Sequence, residues 1–227
     1  MARRRRNFSC EDDVNRKSLV VAFALFLLVC IAGVFLPSRR TSPVHAAAAA
    51  APVYDKDGNL LPPSDYREWV FLSSGLDMSY NPKSAGTGGE SMSMFDNVFA
   101  DPRAYAHFAA TGAWPDKTML ILESREAKDK GSINLRGHYQ GEGLMGVEVH
   151  VKDVSRFPGG WAFFDFDSPT AHGTLIPQKA PCYTCHAAHA AVDTTFVQFY
   201  PTLLPIARKK GTLSEAFLKE SAEPAAK

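Results

Sequence analysis

Apolar and polar residues alternate along the middle of the chain with the two-residue period of β-strands. Residues 144–151 show the pattern best, because their valines fall on one face while Glu148 and His150 fall on the other. Glycine-rich turns separate the runs, so we expect neighbouring strands to pair as an antiparallel sheet. Three further segments predict strands, at residues 118–123, 133–139 and 161–166.

Helices are predicted before and after this strand-rich region. Asp101 followed by Pro102 is typical of a helix start, and Gly112 is typical of its end. A short helix is expected at residues 65–69, and a longer helix interrupted by two prolines at residues 194–210. The combined pattern predicts an α+β fold, mainly an antiparallel β-sheet with a few flanking helices.

The N-terminal segment has a different character from the rest of the chain. Several arginines and one lysine before residue 18 precede an uncharged run at residues 19–36. The run suits either a signal peptide or a membrane anchor with its positive end in the cytoplasm. Val44-His45-Ala46 offers a cleavage site, so both alternatives stay open. In either case we expect a periplasmic domain, either released or anchored in the inner membrane.

Composition divides the chain into three parts. Residues 1–53 hold the signal or anchor and an alanine-rich linker, and residues 54–211 form the folded domain. Residues 212–227 form a C-terminal tail, either a loose amphipathic helix or disordered. The chain of 227 residues is 45% hydrophobic, which is enough for a single core. A formal net charge of +1 gives no indication of nucleic-acid binding.

Cys182-Tyr183-Thr184-Cys185-His186 carries the clearest chemistry in the sequence. Two cysteines separated by two residues and followed by histidine are typical of covalent attachment of a c-type haem. Each thiol can form a thioether with a haem vinyl group, and the imidazole can then bind the iron. A zinc site would need a second ligand pair, and beyond the N-terminal segment the sequence has no other cysteine. A redox-active cysteine pair would favour a βαβ context and would not require the histidine.

Motifs on both sides of this sequence resemble those of the cytochrome P-460 family, whose fold cytochrome c′-beta shares. The resemblance covers roughly residues 54–211, and the motifs follow the family's order and spacing. It implies a mainly antiparallel β-sheet domain, usually a homodimer, with one pentacoordinate haem c per chain. The motifs are Tyr66-Arg67-Glu68-Trp69-Val70, Asp101-Pro102 with Tyr105-Ala106-His107, Gly146-Val147-Glu148 with Val151-Lys152-Asp153, Arg156-Phe157, Trp161-Ala162-Phe163 and Phe199-Tyr200-Pro201.

The resemblance also implies a range of functions. Members of the family oxidise hydroxylamine, or they bind nitric oxide and carbon monoxide, because iron with one protein ligand has an open sixth position. We therefore expect either a haem oxidoreductase that passes electrons to a periplasmic cytochrome, or a binding protein for these gases without turnover. A third alternative is an electron-transfer cytochrome with methionine or histidine as its sixth ligand.

Oxidation of a bound N–H substrate needs a nearby base for its protons. Glu148 is the predicted catalytic carboxylate, because it matches an acidic position in the family motif. Asp165 and Asp167 are alternatives, and either could instead be a solvated or salt-bridged residue. Lone histidines and methionines are other possible iron ligands, although we expect core, surface or partner-facing roles for them: His107, His172, His189, Met92, Met94, Met119 and Met145.

A lysine separates the family's hydroxylamine oxidisers from its gas binders, since in the oxidisers it is bonded to the haem ring. Aligning Glu123 with the family's glutamate puts Leu122 at that position, and leucine has no amine. Lys117 is five residues away and would lie on the opposite face of the strand. Lys128 and Lys130 lie in the turn beyond. We therefore expect a haem held by two thioethers alone, which favours gas binding over oxidation.

Overall fold

The computed structural model describes residues 51–63, 65–79 and 93–222. The signal or anchor predicted at residues 19–36 and its possible cleavage site lie outside these residues, as does Met92. Within the described ranges, no helix is both long enough and apolar enough to cross a membrane.

One antiparallel sheet organises the described part of the chain. Each of its six strands pairs with the next one along the sequence, so the sheet contains no crossover connection. The strands predicted at residues 118–123, 144–151 and 161–166 are confirmed, and the first two are longer than predicted. The strands are β1 (Val70–Leu76), β2 (Met94–Ala100), β3 (Met119–Lys128), β4 (Tyr139–Lys152), β5 (Trp161–Phe166) and β6 (Thr174–Leu175).

The two faces of the sheet pack against different parts of the chain. The valines of β4 lie on one face, where they share a core with Leu60 and Phe164. Both of these side chains are fully buried, and each such burial contributes about 1.5–3 kcal/mol. The opposite face of β4 carries Glu148 and His150, as the alternation predicted. A second core packs on that side of the sheet around Phe108.

Four helices accompany the sheet in the described ranges. The first begins and ends where the sequence predicted. The Asp101 Oδ1 accepts a hydrogen bond from the Ala104 amide at 2.8 Å, and Gly112 adopts a left-handed φ of 80°. The helices are α1 (Pro102–Thr111), α2 (Pro181–His189), α3 (Leu204–Lys210) and α4 (Glu215–Ala222).

The strand predicted at residues 133–139 is wrong. The chain there forms the turn between β3 and β4, in which the Asn134 side chain donates a hydrogen bond to the Asp129 carbonyl at 3.0 Å. Ile133 and Leu135 are 94% and 92% exposed, so their alternation with polar residues does not reflect burial. Periodicity alone could not separate a strand from a turn with apolar residues at alternate positions.

Other elements differ from the sequence-based expectations in length or type. Strands β1 and β2 were not predicted, because serine, glycine, aspartate and asparagine interrupt their apolar residues. The helix expected at residues 65–69 is a 3₁₀ turn, Tyr66–Glu68. The long helix expected at residues 194–210 is reduced to a 3₁₀ turn, Val197–Phe199, followed by α3. Pro205 lies in the first turn of α3, where a missing N–H is tolerated.

Within residues 212–222, the described part of the C-terminal tail, the chain forms a helix, which is one of the two predicted alternatives. Ser214 joins α4 to the rest of the domain, because its amide donates to the Ala191 carbonyl at 2.8 Å and its hydroxyl donates to the Ala190 carbonyl at 2.7 Å. The same hydroxyl accepts a hydrogen bond from the Phe217 amide at 3.1 Å, which caps the helix. Helix α4 therefore packs beside the end of α2.

Candidate functional site

A cavity lies on the face of the sheet that carries Glu148 and His150. Its inner compartment has a volume of about 330 Å³ and extends between strands β1 to β5 and the segment around Phe196. Its outer compartment has a volume of about 520 Å³ and reaches helix α2. Both volumes lie in the range of about 300–1,000 Å³ that is usual for cofactor and ligand sites. The compartments are contiguous, because the same residues line both: Met78, Glu148, Phe163, His186 and Phe196.

Cys182 and Cys185 lie on α2 and line the outer compartment. Three residues apart on a helix, they share one side of it. Both are free and half-buried. In the described part of the chain, no group of three or more histidine, cysteine and acidic side chains could hold a metal ion. Two free thiols beside an imidazole in a mainly apolar compartment therefore fit a haem attached through thioethers better than they fit zinc.

The imidazole of His186 is oriented by its surroundings. Its Nδ1 donates a hydrogen bond to the Thr194 carbonyl at 2.6 Å, which leaves Nε2 as the nitrogen that can bind iron. The rings of Phe196 and Phe163 lie 4.2 and 4.6 Å from the imidazole, centroid to centroid. Burial lowers the pKa of His186, although the hydrogen bond to Thr194 partly opposes the change. The lowered pKa favours the neutral imidazole, which is the form of histidine that binds metals.

Glu148 lines both compartments of the cavity. In the sheet register it is directly opposite Leu122 on β3 and Asp165 on β5. Its side chain is exposed to the cavity, but the surrounding strands still desolvate the carboxyl. Desolvation raises the pKa of Glu148, and the negative charges of Asp165 and Asp96 raise it further. A carboxyl with a raised pKa beside a ligand cavity is suited to accepting and returning a proton.

The other predicted carboxylates occupy less favourable positions. Asp165 is exposed on the same sheet face as Glu148 but does not line either compartment, and Asp167 is exposed just beyond the end of β5. Asp96, which the sequence did not single out, lines the inner compartment and accepts a hydrogen bond from the Ser124 hydroxyl at 2.6 Å. It became a candidate only when strand pairing placed β2 beside β3.

The structure bears directly on the expected absence of a lysine bonded to the haem. Leu122 lines the cavity, at the position where the family's oxidisers were expected to have lysine. The ammonium of Lys117 lies elsewhere, paired with the carboxylate of Asp153 and within 3.3 Å of the Ser155 hydroxyl. Lys128 pairs with a neighbouring glutamate on β3. Within the described residues, therefore, no lysine lines either compartment.

The lone histidines named from the sequence also lie outside the two compartments. His107 is exposed on α1. His172 pairs with Asp55, with the ring nitrogen and carboxylate oxygen 2.8 Å apart. His189 pairs with Glu220 on α4 at 3.0 Å. The sequence predicted a surface or structural role for His107 and a structural role for His189, whereas it left a distal ligand or a partner-facing residue open for His172.

Two further residues in the cavity were missed by sequence reasoning as site residues. His150 is buried between strands and lines the inner compartment, where burial lowers its pKa well below the ordinary value. Its position two residues after Glu148 was a signal that it shares the cavity face. Met78 lines both compartments. It lies beyond the end of β1, so no periodic pattern could have identified it. Of the methionines named earlier, Met119 is buried in the opposite core, as expected.

Comparison with known proteins identifies the family of the chain. No curated protein matches the chain. The family model described as Cytochrome P460 matches residues 63–197, which is more than half of the 227 residues. The matched segment begins at Pro63, just before the first 3₁₀ turn, and ends at Val197, so it contains the whole sheet, both cysteines and His186. The chain therefore belongs to the cytochrome P-460 family of haem proteins.

Proposed function

We propose that this protein is an exported c-type haem protein that captures nitric oxide or a similar small molecule. In this proposal Cys182 and Cys185 hold one haem through thioethers, and His186 binds its iron through Nε2. When bound, the haem supplies an iron whose sixth position is open to a small ligand. The free thiols, the shared compartment and the hydrogen bond from His186 Nδ1 to Thr194 support this assignment.

Leu122 is the observation that favours gas binding over oxidation. Leu122 presents an aliphatic side chain to the cavity, at the position where the family resemblance places the lysine of the hydroxylamine oxidisers. Val98 and Leu120 extend this apolar part of the wall, next to the carboxyl groups of Glu148 and Asp96. An apolar wall suits diatomic ligands, because they have little hydrogen-bonding capacity to satisfy. Capture without turnover is therefore the favoured function.

Oxidation of hydroxylamine is the second candidate, and Glu148 is the observation that favours it. Its carboxyl lines both compartments, and its raised pKa suits it to receive protons from a bound N–H substrate. An enzyme of this kind would pass electrons to a periplasmic carrier cytochrome.

Electron transfer with a sixth protein ligand is a third candidate, and it depends on Met78. Its thioether folds back over Gly75, since a Cβ on that glycine would lie 2.3 Å from the Met78 sulfur. Gly75 therefore allows Met78 to reach the cavity face of the sheet. Methionine is an established axial ligand of haem iron in c-type cytochromes.

The proposed setting follows from the sequence. We propose that the domain lies in the periplasm, either released or anchored through residues 19–36, and that it forms a homodimer.

Spectra of the purified holoprotein distinguish the three functions. We expect a high-spin ferrous spectrum, a shift of the Soret band when nitric oxide is added, and no hydroxylamine turnover with an artificial electron acceptor. Turnover would favour the oxidase. A low-spin ferrous spectrum would favour a sixth protein ligand, and its conversion to high-spin in a Met78→Leu variant would identify that ligand.

A further inference from the structure

A hydrogen-bonded chain connects a buried histidine to His186. The Nε2 atom of His150 lies 3.2 Å from the hydroxyl of Thr194. The carbonyl of the same Thr194 accepts the hydrogen bond from His186 Nδ1 at 2.6 Å. One residue of the loop after α2 therefore contacts both imidazoles, through its side chain in one case and its backbone in the other.

His150 is itself held firmly in place. Its ring stacks on Phe163, with centroids 4.0 Å apart and planes 12° from parallel, and it contacts Trp161 with centroids 4.4 Å apart. It is 8% exposed. Its ring also meets the His186 ring edge to face, with centroids 5.2 Å apart. Strand pairing fixes the position of His150, because the residue lies opposite Phe163 in the β4–β5 register.

The loop that carries Thr194 is anchored on both sides. Before it, Asp193 pairs with Lys152 at 2.9 Å. After it, the Thr195 hydroxyl accepts a hydrogen bond from Trp114 Nε1 at 2.8 Å and donates one to the Val192 carbonyl at 2.7 Å. These contacts hold the backbone in register with the sheet. The hydrogen bond to His150 is the contact that fixes the side chain of Thr194 itself.

A buried imidazole needs a reason for its position, because polar groups lose hydration energy on burial. An apolar residue opposite Phe163 could fill the same space without that cost. A histidine here adds a hydrogen bond to Thr194, whose carbonyl accepts the hydrogen bond from His186. Outer contacts of this kind orient metal-binding histidines and raise their basicity.

We propose that His150 is a positioning residue that acts through Thr194 to fix the carbonyl accepting the His186 Nδ1 proton. The inference rests on the proposed ligation of iron by His186. A short hydrogen bond from Nδ1 makes the imidazole a stronger electron donor to iron. Weakening that bond should therefore favour the ferrous state and weaken the bond between iron and His186.

Three variants of the holoprotein test the inference. His150→Phe keeps the aromatic ring stacked on Phe163 but removes the ring nitrogens. Thr194→Val keeps the shape of the side chain but removes its hydroxyl, whereas Thr194→Ser keeps the hydroxyl and is the matched control. The measurements are the reduction potential, the iron–histidine stretching frequency in the ferrous state, and the exchange rate of the His186 Nδ1 proton.

We expect His150→Phe and Thr194→Val to change these quantities in the same direction. The equilibrium constant between ferrous and ferric iron should shift about three- to tenfold towards the ferrous form. A tenfold change equals about 59 mV in the reduction potential of a one-electron couple. The stretching frequency should fall and proton exchange should quicken, while Thr194→Ser should resemble the wild type. The double variant should show no more than the larger single effect, because both residues belong to one chain of contacts.

Unchanged potentials and frequencies in both variants would overturn the inference, as would fully additive effects in the double variant. If His150→Phe fails to mature, the comparison of Thr194→Val with Thr194→Ser decides the question alone. Failure of the proposed function is distinguishable, because it would appear in the wild type as an absence of thioether-bound haem in the mass spectrum.

Discussion

Leu122 and Glu148 lie directly opposite each other on strands β3 and β4, and both side chains line the same cavity. The pair brings an aliphatic group and a carboxyl with a raised pKa to one place on the cavity wall. The carboxyl keeps open a role in proton transfer, whereas the leucine removes the amine that an additional bond to the haem would need. Substitution of Glu148 and mass spectrometry of the haem peptide separate these two contributions.

Haem attachment depends on Cys182, Cys185 and His186. Replacement of either cysteine by serine should reduce covalently bound haem, because one thioether is lost, and His186→Ala should change the spin state or abolish maturation. Acid-stable haem is measured by mass spectrometry after extraction with acidified acetone. His189→Ala is the matched control, since His189 lies on the same helix but pairs with Glu220. Wild-type protein that matures without acid-stable haem would contradict the assignment.

The proton-transfer role of Glu148 is tested by Glu148→Gln. The variant should lower any hydroxylamine oxidation that the wild type shows by about 10²–10⁴-fold, the usual contribution of a general base, while haem content and folding are unchanged. Asp165→Asn is the control, because it leaves the Glu148 carboxyl in place. Removing the charge of Asp165 should lower the pKa of Glu148 and shift the acidic limb of the pH profile to lower pH. Unchanged turnover in Glu148→Gln would give the residue a structural role.

The bonds between chain and haem should number two. We expect a holoprotein mass equal to the processed chain plus one haem, and a Soret band typical of a c-type haem without a further bond to the ring. Digestion should give a peptide to which the haem is attached through Cys182 and Cys185 and through no other residue. In Lys117→Leu the mass added by the haem and the spectrum should both be unchanged, because Lys117 pairs with Asp153. A haem peptide joined to any lysine would restore hydroxylamine oxidation as the leading function.

Stability at acid pH should depend on Glu123, on the sheet face opposite the cavity. Its carboxylate is 3% exposed, accepts a hydrogen bond from the Tyr66 hydroxyl and pairs with Arg67 at 2.7 Å and with Arg125. Burial by itself would raise the pKa of Glu123, but the hydrogen bonds and positive charges outweigh it and lower the pKa. Since the folded-state pKa is depressed, the stabilisation is present above the ordinary pKa of 4.5 and is lost as pH falls through the folded-state value.

Glu123→Gln measures this contribution. At pH 7 it should lower the free energy of unfolding by about 1–3 kcal/mol, because buried partners lose a charged acceptor. The difference in Tm between variant and wild type should shrink as pH is lowered below 4.5. Glu126→Gln is the control, since Glu126 lies on the same strand but pairs with Lys128 near the surface. A Tm difference that stays constant across the acid range would contradict the prediction.

Features that depend only on residues close together in the chain could be predicted from the sequence. The haem motif is continuous in sequence, and the cap of α1 depends on three neighbouring residues, Asp101, Pro102 and Ala104. The alternation in β4 assigned Glu148 and the valines to opposite faces because successive side chains of a strand point in opposite directions. Each of these features is set within a few residues of chain, so the sequence by itself determined them.

Contacts between distant segments were decided by the tertiary structure. Strand register placed Leu122 opposite Glu148, and the loop after α2 brought Thr194 between His150 and His186. No local pattern encodes either contact, because each depends on how separate segments pack and pair. The same reason explains why the strand predicted at residues 133–139 is wrong. The alternating apolar side chains of this segment have no core opposite them in which they could be buried. A short stretch of sequence was therefore enough to predict the haem-binding residues. The packing of the whole domain decided which residues surround His186, the proposed iron ligand.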